Sequence, residues 1–232
     1  MDNPTMYKSF TKFLRPQSPR IEPEDALNPV DALRKVLKLS PGRIPSFTEA
    51  HTLKALELIG NSTNIGRQQL SRELRLGEGM IRTLVNRMKG LGLLNTSRGG
   101  MTLTPRGKKL LKDINELISS TQFPETEITV GSENYAVLVR GAGEGIRKGI
   151  EQRDAAIMAG ADGATTIIYD GERLLVPGMD MVVGPSTEGY LIENLRPNKG
   201  DVIIIGSAKD IFDAEMGAKA AALKLLDQTI NE

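Results

Sequence analysis

The sequence predicts an α+β protein: a helical module carrying one β-hairpin, followed by a small two-layer α/β domain with a mixed sheet. Three observations point there. Between residues 46 and 118, apolar residues recur at helical spacing in four short segments, interrupted by two strand-like runs around Arg98-Gly99-Gly100. From about Ser119 the pattern changes to strand-length apolar runs with two helical stretches among them. The charge divides along nearly the same line, since residues 64–112 hold eleven Lys/Arg against two acids, Glu73 and Glu78, and residues 113–232 hold ten basic against twenty acidic residues. The formal net charge of +1 hides this division.

Seven of the twelve prolines lie in the first 45 residues, and RPQSPRIEPED reads as an extended arm. Within residues 1–45, NPVDALRKVLKL is predicted as a short helix capped by Asn28, with Pro29 at its first position. The next segment, PSFTEAHTLKALELIGN, opens with Ser46 and Glu49 as a capping pair and carries the stripe Ala50, Leu53, Leu56, Ile59. GRQQLSRELR follows as a second short helix with Leu70 and Leu74 inward, and Gly77 in LGEG permits a tight turn. The third helix, MIRTLVNRMKGLG, buries Ile81, Leu84, Val85 and Met88. Leu93–Ser97 and Met101–Thr104 form the hairpin, and Thr104-Pro105 caps a fourth helix, PRGKKLLKDINELI.

Residues 119–232 are predicted as strand (EITV), strand (NYAVLVRG), helix (143–160), strand (ATTIIYD), a turn at Asp170-Gly171 and strand (RLLVP). Weaker strands follow near 181–183 and 189–193, then the apolar strand DVIIIG and an Ala-rich helix from about Asp210 to Gln228.

Helix, helix, turn, helix, hairpin, helix is the order of a winged helix-turn-helix, expected here over residues 46–118. Burying Ile81, Leu84, Val85 and Met88 turns Arg82, Thr83, Asn86 and Arg87 outward. Arg pairs with guanine, Asn with adenine, and Thr meets either base. Arg98 at the hairpin tip suits a minor groove or a phosphate, and Arg67 and Gln68 at the start of the second helix face the DNA backbone. A net +9 over 49 residues sets up a field that attracts a polyanion. Double-stranded DNA is therefore the expected partner, read by a homodimer, because one such module covers too short a site for high specificity.

The segment IGRQQLSRELRLGEGMIRTLVNRMKGLGLLNTSRGGMTLTPRGKKLL resembles the winged-helix domain of bacterial central glycolytic genes repressors and related archaeal regulators. The IGR helix start, the MKGLGLLN helix-to-wing junction and the GMTLTPRG wing-to-helix junction carry the likeness over 60–70 residues. It implies a DNA-binding regulator. The C-terminal part is too short to resemble the sugar-phosphate domain of those repressors; it is similar to an uncharacterised domain that follows such winged helices in archaeal proteins.

Other chemistries find little support. Cysteine is absent, which excludes thiolate sites, and His51 is the single histidine, so a Ser-His-Asp triad or a His-based metal site would have to be built on that one residue. No cofactor is expected. No apolar run reaches membrane length and the N-terminus lacks a signal core, which leads to the expectation of a cytoplasmic protein without a membrane partner.

In residues 119–232, the helix 143–160 places Ile146, Gly149, Ile150, Ala156, Ile157 and Gly160 on one face, with Arg153 among them. An arginine on a packing face needs a partner, either an acid from the sheet or the anionic group of a small-molecule effector. Gly141, Gly143 and Gly145 in RGAGEG would bring backbone N–H groups to a helix start beside it, an incomplete version of a phosphate-binding loop. Met179 and Met181 read as core or as a dimer seam. The alternative function is an enzyme whose C-terminal domain acts on a phosphorylated metabolite; no His, Cys or evident carboxylate pair in 120–232 supports it.

Overall fold

The computed structural model describes residues 28–38, 46–179 and 181–231. The arm RPQSPRIEPED lies outside the described residues. Among the described residues, five helices and a hairpin form the first half: α1 (Pro29–Lys38), α2 (Glu49–Asn61), α3 (Arg67–Leu74), α4 (Glu78–Gly90), β1 (Leu94–Ser97), β2 (Gly100–Leu103) and α5 (Pro105–Leu117). Asn28 caps α1 as expected, its Oδ1 accepting from Val30 N–H at 2.9 Å. Thr104 caps α5, accepting from Gly107 N–H at 3.0 Å. A Cβ on Gly107 would lie 2.0 Å from the Leu93 carbonyl oxygen, so the first turn of α5 rests directly on the chain entering the wing. That contact gives the second glycine of GMTLTPRG its physical reason.

Two local expectations are corrected. The cap of α2 is Thr48 rather than Ser46, and its partner at the third helical position is His51, whose Nδ1 accepts from Thr48 N–H at 3.2 Å. Between α3 and α4 the left-handed residue is Arg75 (φ 50°), whereas Gly77 has an ordinary φ of −61°.

The second half holds β3 (Ile118–Phe123), β4 (Glu133–Val139), α6 (Ile150–Met158), β5 (Gly163–Tyr169), β6 (Leu174–Val176), β7 (Met181–Val182), α7 (Pro185–Leu195), β8 (Val202–Ala208) and α8 (Ile211–Asn231). The sheet order is β3-β4-β8-β5-β6-β7. The α+β class stands, but every pairing in this sheet is antiparallel, where a mixed sheet was expected. EITV is not a strand; β3 instead continues straight out of α5. Residues 189–193 belong to α7, started by Gly184 and Pro185. Because α7 covers the face opposite α6 and α8, the half has three layers instead of two.

Alternation along the strands sorts the core. Val137, Val139, Val202 and Ile204 join α8 in one cluster, while Ala136, Leu138, Ile203 and Ile205 meet Leu191 and Leu195 of α7 in another. The first cluster does not stop at the sheet. It runs through α8 into α1, α2 and α4, with Val30, Leu33, Leu56 and Leu84 among its members. α8 is thus a shared wall between the wing-bearing module and the sheet, and α1 is packed rather than part of a free arm.

Candidate nucleic-acid interface

The helix predicted to read DNA is α4. Its buried positions are Ile81, Leu84, Val85 and Met88, as the apolar spacing required. Arg82 and Asn86 are exposed, and Lys89, one turn further along, extends the same face. Thr83 is half-buried and its hydroxyl donates back to the Gly79 carbonyl at 3.0 Å. Arg87 turns inward. Its Nη1 donates to the carbonyls of Val36 (3.2 Å) and Leu37 (2.7 Å), and its guanidinium lies 5.8 Å from the centre of the Phe47 ring. Arg87 therefore satisfies carbonyl groups at the end of α1, a structural task that the expected base contact would abandon.

The wing is tied to both neighbouring elements. On one side Met101 N–H donates to the Ile65 carbonyl at 2.9 Å, fixing the hairpin against the start of α3, where Arg67 and Gln68 are exposed. On the other, Lys89 Nζ reaches Thr96 Oγ1 at 3.5 Å. Arg98 stands exposed at the wing tip. The arrangement joins the exposed polar ends of α3, α4 and the wing, which is what contact with a groove and its flanking phosphates needs.

Sequence reasoning missed the polar contacts that join the two halves. Lys219 of α8 is 1% exposed and donates to Glu215 (2.6 Å) and to Glu57 of α2, while Lys54 of α2 pairs with Glu215. Burial alone would push the Lys219 ammonium down, but the facing Glu57 and Glu215 carboxylates hold it above the ordinary lysine range. Glu215 is held low by Lys219 and Lys54 against its burial. The Tyr135 ring of β4 lies 5.6 Å from Lys219 Nζ, and burial pushes its phenol up. A second contact pairs Arg75, at the α3–α4 turn, with Asp210 (2.6 Å) and stacks it over Phe212 at 4.6 Å. One signal was available: Lys219 shares its helix face with Met216, Leu223 and Leu226.

The expectations for the acidic half change most. α6 begins at Ile150, not at 143, and its buried residues are Gln152 and Ala156. The apolar stripe divides: Ala156 is buried and Ile146 packs against the core, while Ile150, at 48%, and Ile157, at 47% exposed, form an outer face. Arg153, on that outer face, is paired with the adjacent Asp154 at 3.1 Å and not with a sheet acid. The RGAGEG loop does not deliver N–H groups to a helix start. Gly141 N–H donates to Asp201 Oδ1 and Gly143 N–H to the Gly200 carbonyl, both at 2.8 Å, and Gly145 precedes α6 by five residues. Met179 is 71% exposed, which removes it from the core. Among the described residues no cluster of His or acids could hold a metal, and no helix is long and apolar enough to cross a membrane.

Residues 51–118 match the CggR N-terminal DNA binding domain, and residues 130–225 match a domain of unknown function, DUF4443. The solved structure of the hypothetical protein PH0730 from Pyrococcus horikoshii OT3 is similar at a TM-score of 0.66 and 24% identity, over 80% of this chain and 96% of that one. It supports the fold. No curated protein matches the chain.

Proposed function

We propose that the protein is a transcriptional regulator that reads duplex DNA with α4 and the wing and answers to an anionic small molecule held by its acidic half. The likeness of residues 51–118 to a DNA-binding domain supports the first part. The observation that carries it is the exposed run Arg82, Asn86, Lys89 on α4, beside a wing tipped by Arg98. Arg82 and Asn86 are assigned to base edges; Thr83 has its hydroxyl engaged with Gly79 and offers its methyl group. Arg67, Gln68 and Arg98 are assigned to the backbone and the minor groove. Residues 46–118 form the DNA-reading part and 119–232 the effector and dimerisation part. A homodimer fits the short reach of one module. It also fits the surface: Ile157 and Met158 stand exposed on α6.

Fluorescence anisotropy of the full chain on labelled duplex DNA tests the reading. Affinity is expected to fall steeply on a log–log salt plot, with Arg98→Ala lowering affinity for all sequences alike and making the slope shallower by about one. An affinity independent of salt contradicts it.

A further inference from the structure

We propose that the groove at the N-terminus of α6 is the effector site, and that its ligand is a small amphipathic monoanion, a carboxylate with an unbranched aliphatic tail. This rests on the effector part of the function proposed above. The groove begins with a pairing that stops early. β6 pairs with β5 through Ile168–Leu175 and Tyr169–Leu174 only. Continuing that register would set Pro177 opposite Thr166, and proline has no N–H to offer the ladder. The hairpin peels away there and leaves a groove of about 520 Å³ along the free edge of β5, within the range of small-molecule sites.

Its walls are apolar: Val130, Ile150, Val176, Met179 and Met181. Beside the Glu127 carboxylate, its polar lining presents hydrogen-bond donors. Thr166 is 4% exposed and its Oγ1 has no hydrogen-bond partner. Gly149, the first residue before α6, sits directly over it at φ +70°; a Cβ there would lie 2.8 Å from Thr166 Oγ1. Position 149 therefore excludes a side-chain cap. The amides of Ile150, Glu151 and Gln152 precede the first intrahelical bond, from Arg153 N–H to the Gly149 carbonyl, and no side chain caps them. Lys148 and Arg153 also line the groove. A buried hydroxyl without an acceptor, a bare helix start and two cations converge where a negatively charged oxygen acceptor would satisfy them together.

The other polar groups are occupied. Thr129 and Thr165 hydroxyls donate to the carbonyls of Thr126 (2.9 Å) and Ile128 (2.6 Å). The Glu127 carboxylate accepts from Thr187, and Glu151 turns to Gln228 of α8. Lys148 and Arg153 are balanced in formal charge by Glu127 and by Asp154, the neighbour of Arg153. A single negative charge fits that balance better than a dianion, and the exposed Met179 and Val130 favour an aliphatic tail over a second polar group.

Isothermal titration of the DNA-free full chain with octanoate, acetate and 1-octanol tests the site. Octanoate is expected to bind one per chain, with acetate (no tail) and octanol (no charge) at least about tenfold weaker. Thr166→Val keeps the shape and removes the orphaned hydroxyl; it should weaken octanoate about five- to tenfold while leaving the melting temperature equal or higher. Arg153→Gln, at an exposed position, should weaken binding comparably without unfolding the chain. Failure of octanoate to bind, or binding untouched by both substitutions, overturns the site. Anisotropy on duplex DNA, without octanoate, reports separately on the regulator: DNA binding without octanoate binding refutes the groove alone, and the reverse refutes DNA reading alone.

Discussion

Lys219 is the residue at which the two halves meet most closely. Buried at 1% exposure, it neutralises Glu57 from α2 and Glu215 from its own helix, so its loss would strand carboxylates that the fold has already taken from water. Lys219→Met is expected to lower stability by about 3–5 kcal/mol, and adding Glu57→Leu should recover part of it; urea denaturation of both variants measures this. His51 gives a milder, pH-dependent effect. Burial depresses its pKa below 6.5, and its ring accepts from Thr48 N–H only while Nδ1 is unprotonated. Unfolding therefore takes up a proton in the window below about pH 6.5, and stability drops as pH falls through that value, levelling below the folded pKa. Melting temperatures of the parent and His51→Gln between pH 5 and 8 should converge toward the acid end. The Thr48–His51 cap was within reach of the sequence, three residues apart, but Ser46 and Glu49 satisfied the same rule. Of the Lys219 partners, Glu215 is an i,i+4 neighbour, but Glu57 was out of reach because it lies 162 residues away.

At the scale of elements, helices with local signals were legible. Asn28-Pro29 and Thr104-Pro105 marked the starts of α1 and α5, and the apolar spacing of α4 named its buried face. The same rule was available for α7 in Gly184-Pro185, but the run Tyr190-Leu191-Ile192 resembles a strand and outweighed it. The misread face of α6 has a different cause. Periodicity shows that Ile150, Arg153 and Ile157 share a face; it does not say whether the protein's own sheet covers that face, and of the stripe's members on α6 only Ala156 is covered, together with Gln152. Arg87 shows the same limit inside α4, since its partners are carbonyls on α1 that no local pattern names. We expect Arg87→Ala to lower stability by about 1–3 kcal/mol, as loss of charged hydrogen bonds to backbone does, while leaving base preference unchanged. Calorimetry together with binding to a set of single-base operator variants separates the two effects.

For the molecule as a whole, the continuous cluster through α1, α2, α4, α8 and one sheet face means that the wing-bearing module and the acidic half do not have independent cores. One cooperative unfolding transition is expected, with equal calorimetric and van't Hoff enthalpies; two resolved transitions would contradict it. The sequence showed two halves through charge and pattern, which are properties of surfaces and segments. It could not show that α8 serves both halves, because that depends on which helix lies against which. α8 touches α2 through Lys219 and Glu57, and Asp210, the residue before α8, pairs with Arg75 of the α3–α4 turn.

The central claim is that α4 reads base edges. Its most direct test is selection of bound fragments from a random duplex pool by the full chain and by the Arg82→Ala/Asn86→Ala variant, followed by sequencing. The parent chain is expected to enrich an inverted repeat with fixed half-site spacing, and the variant to lose discrimination at particular positions of each half-site by about 1–3 kcal/mol per contact while still binding DNA. Enrichment of the same motif by both proteins, or of no motif by the parent, would contradict it.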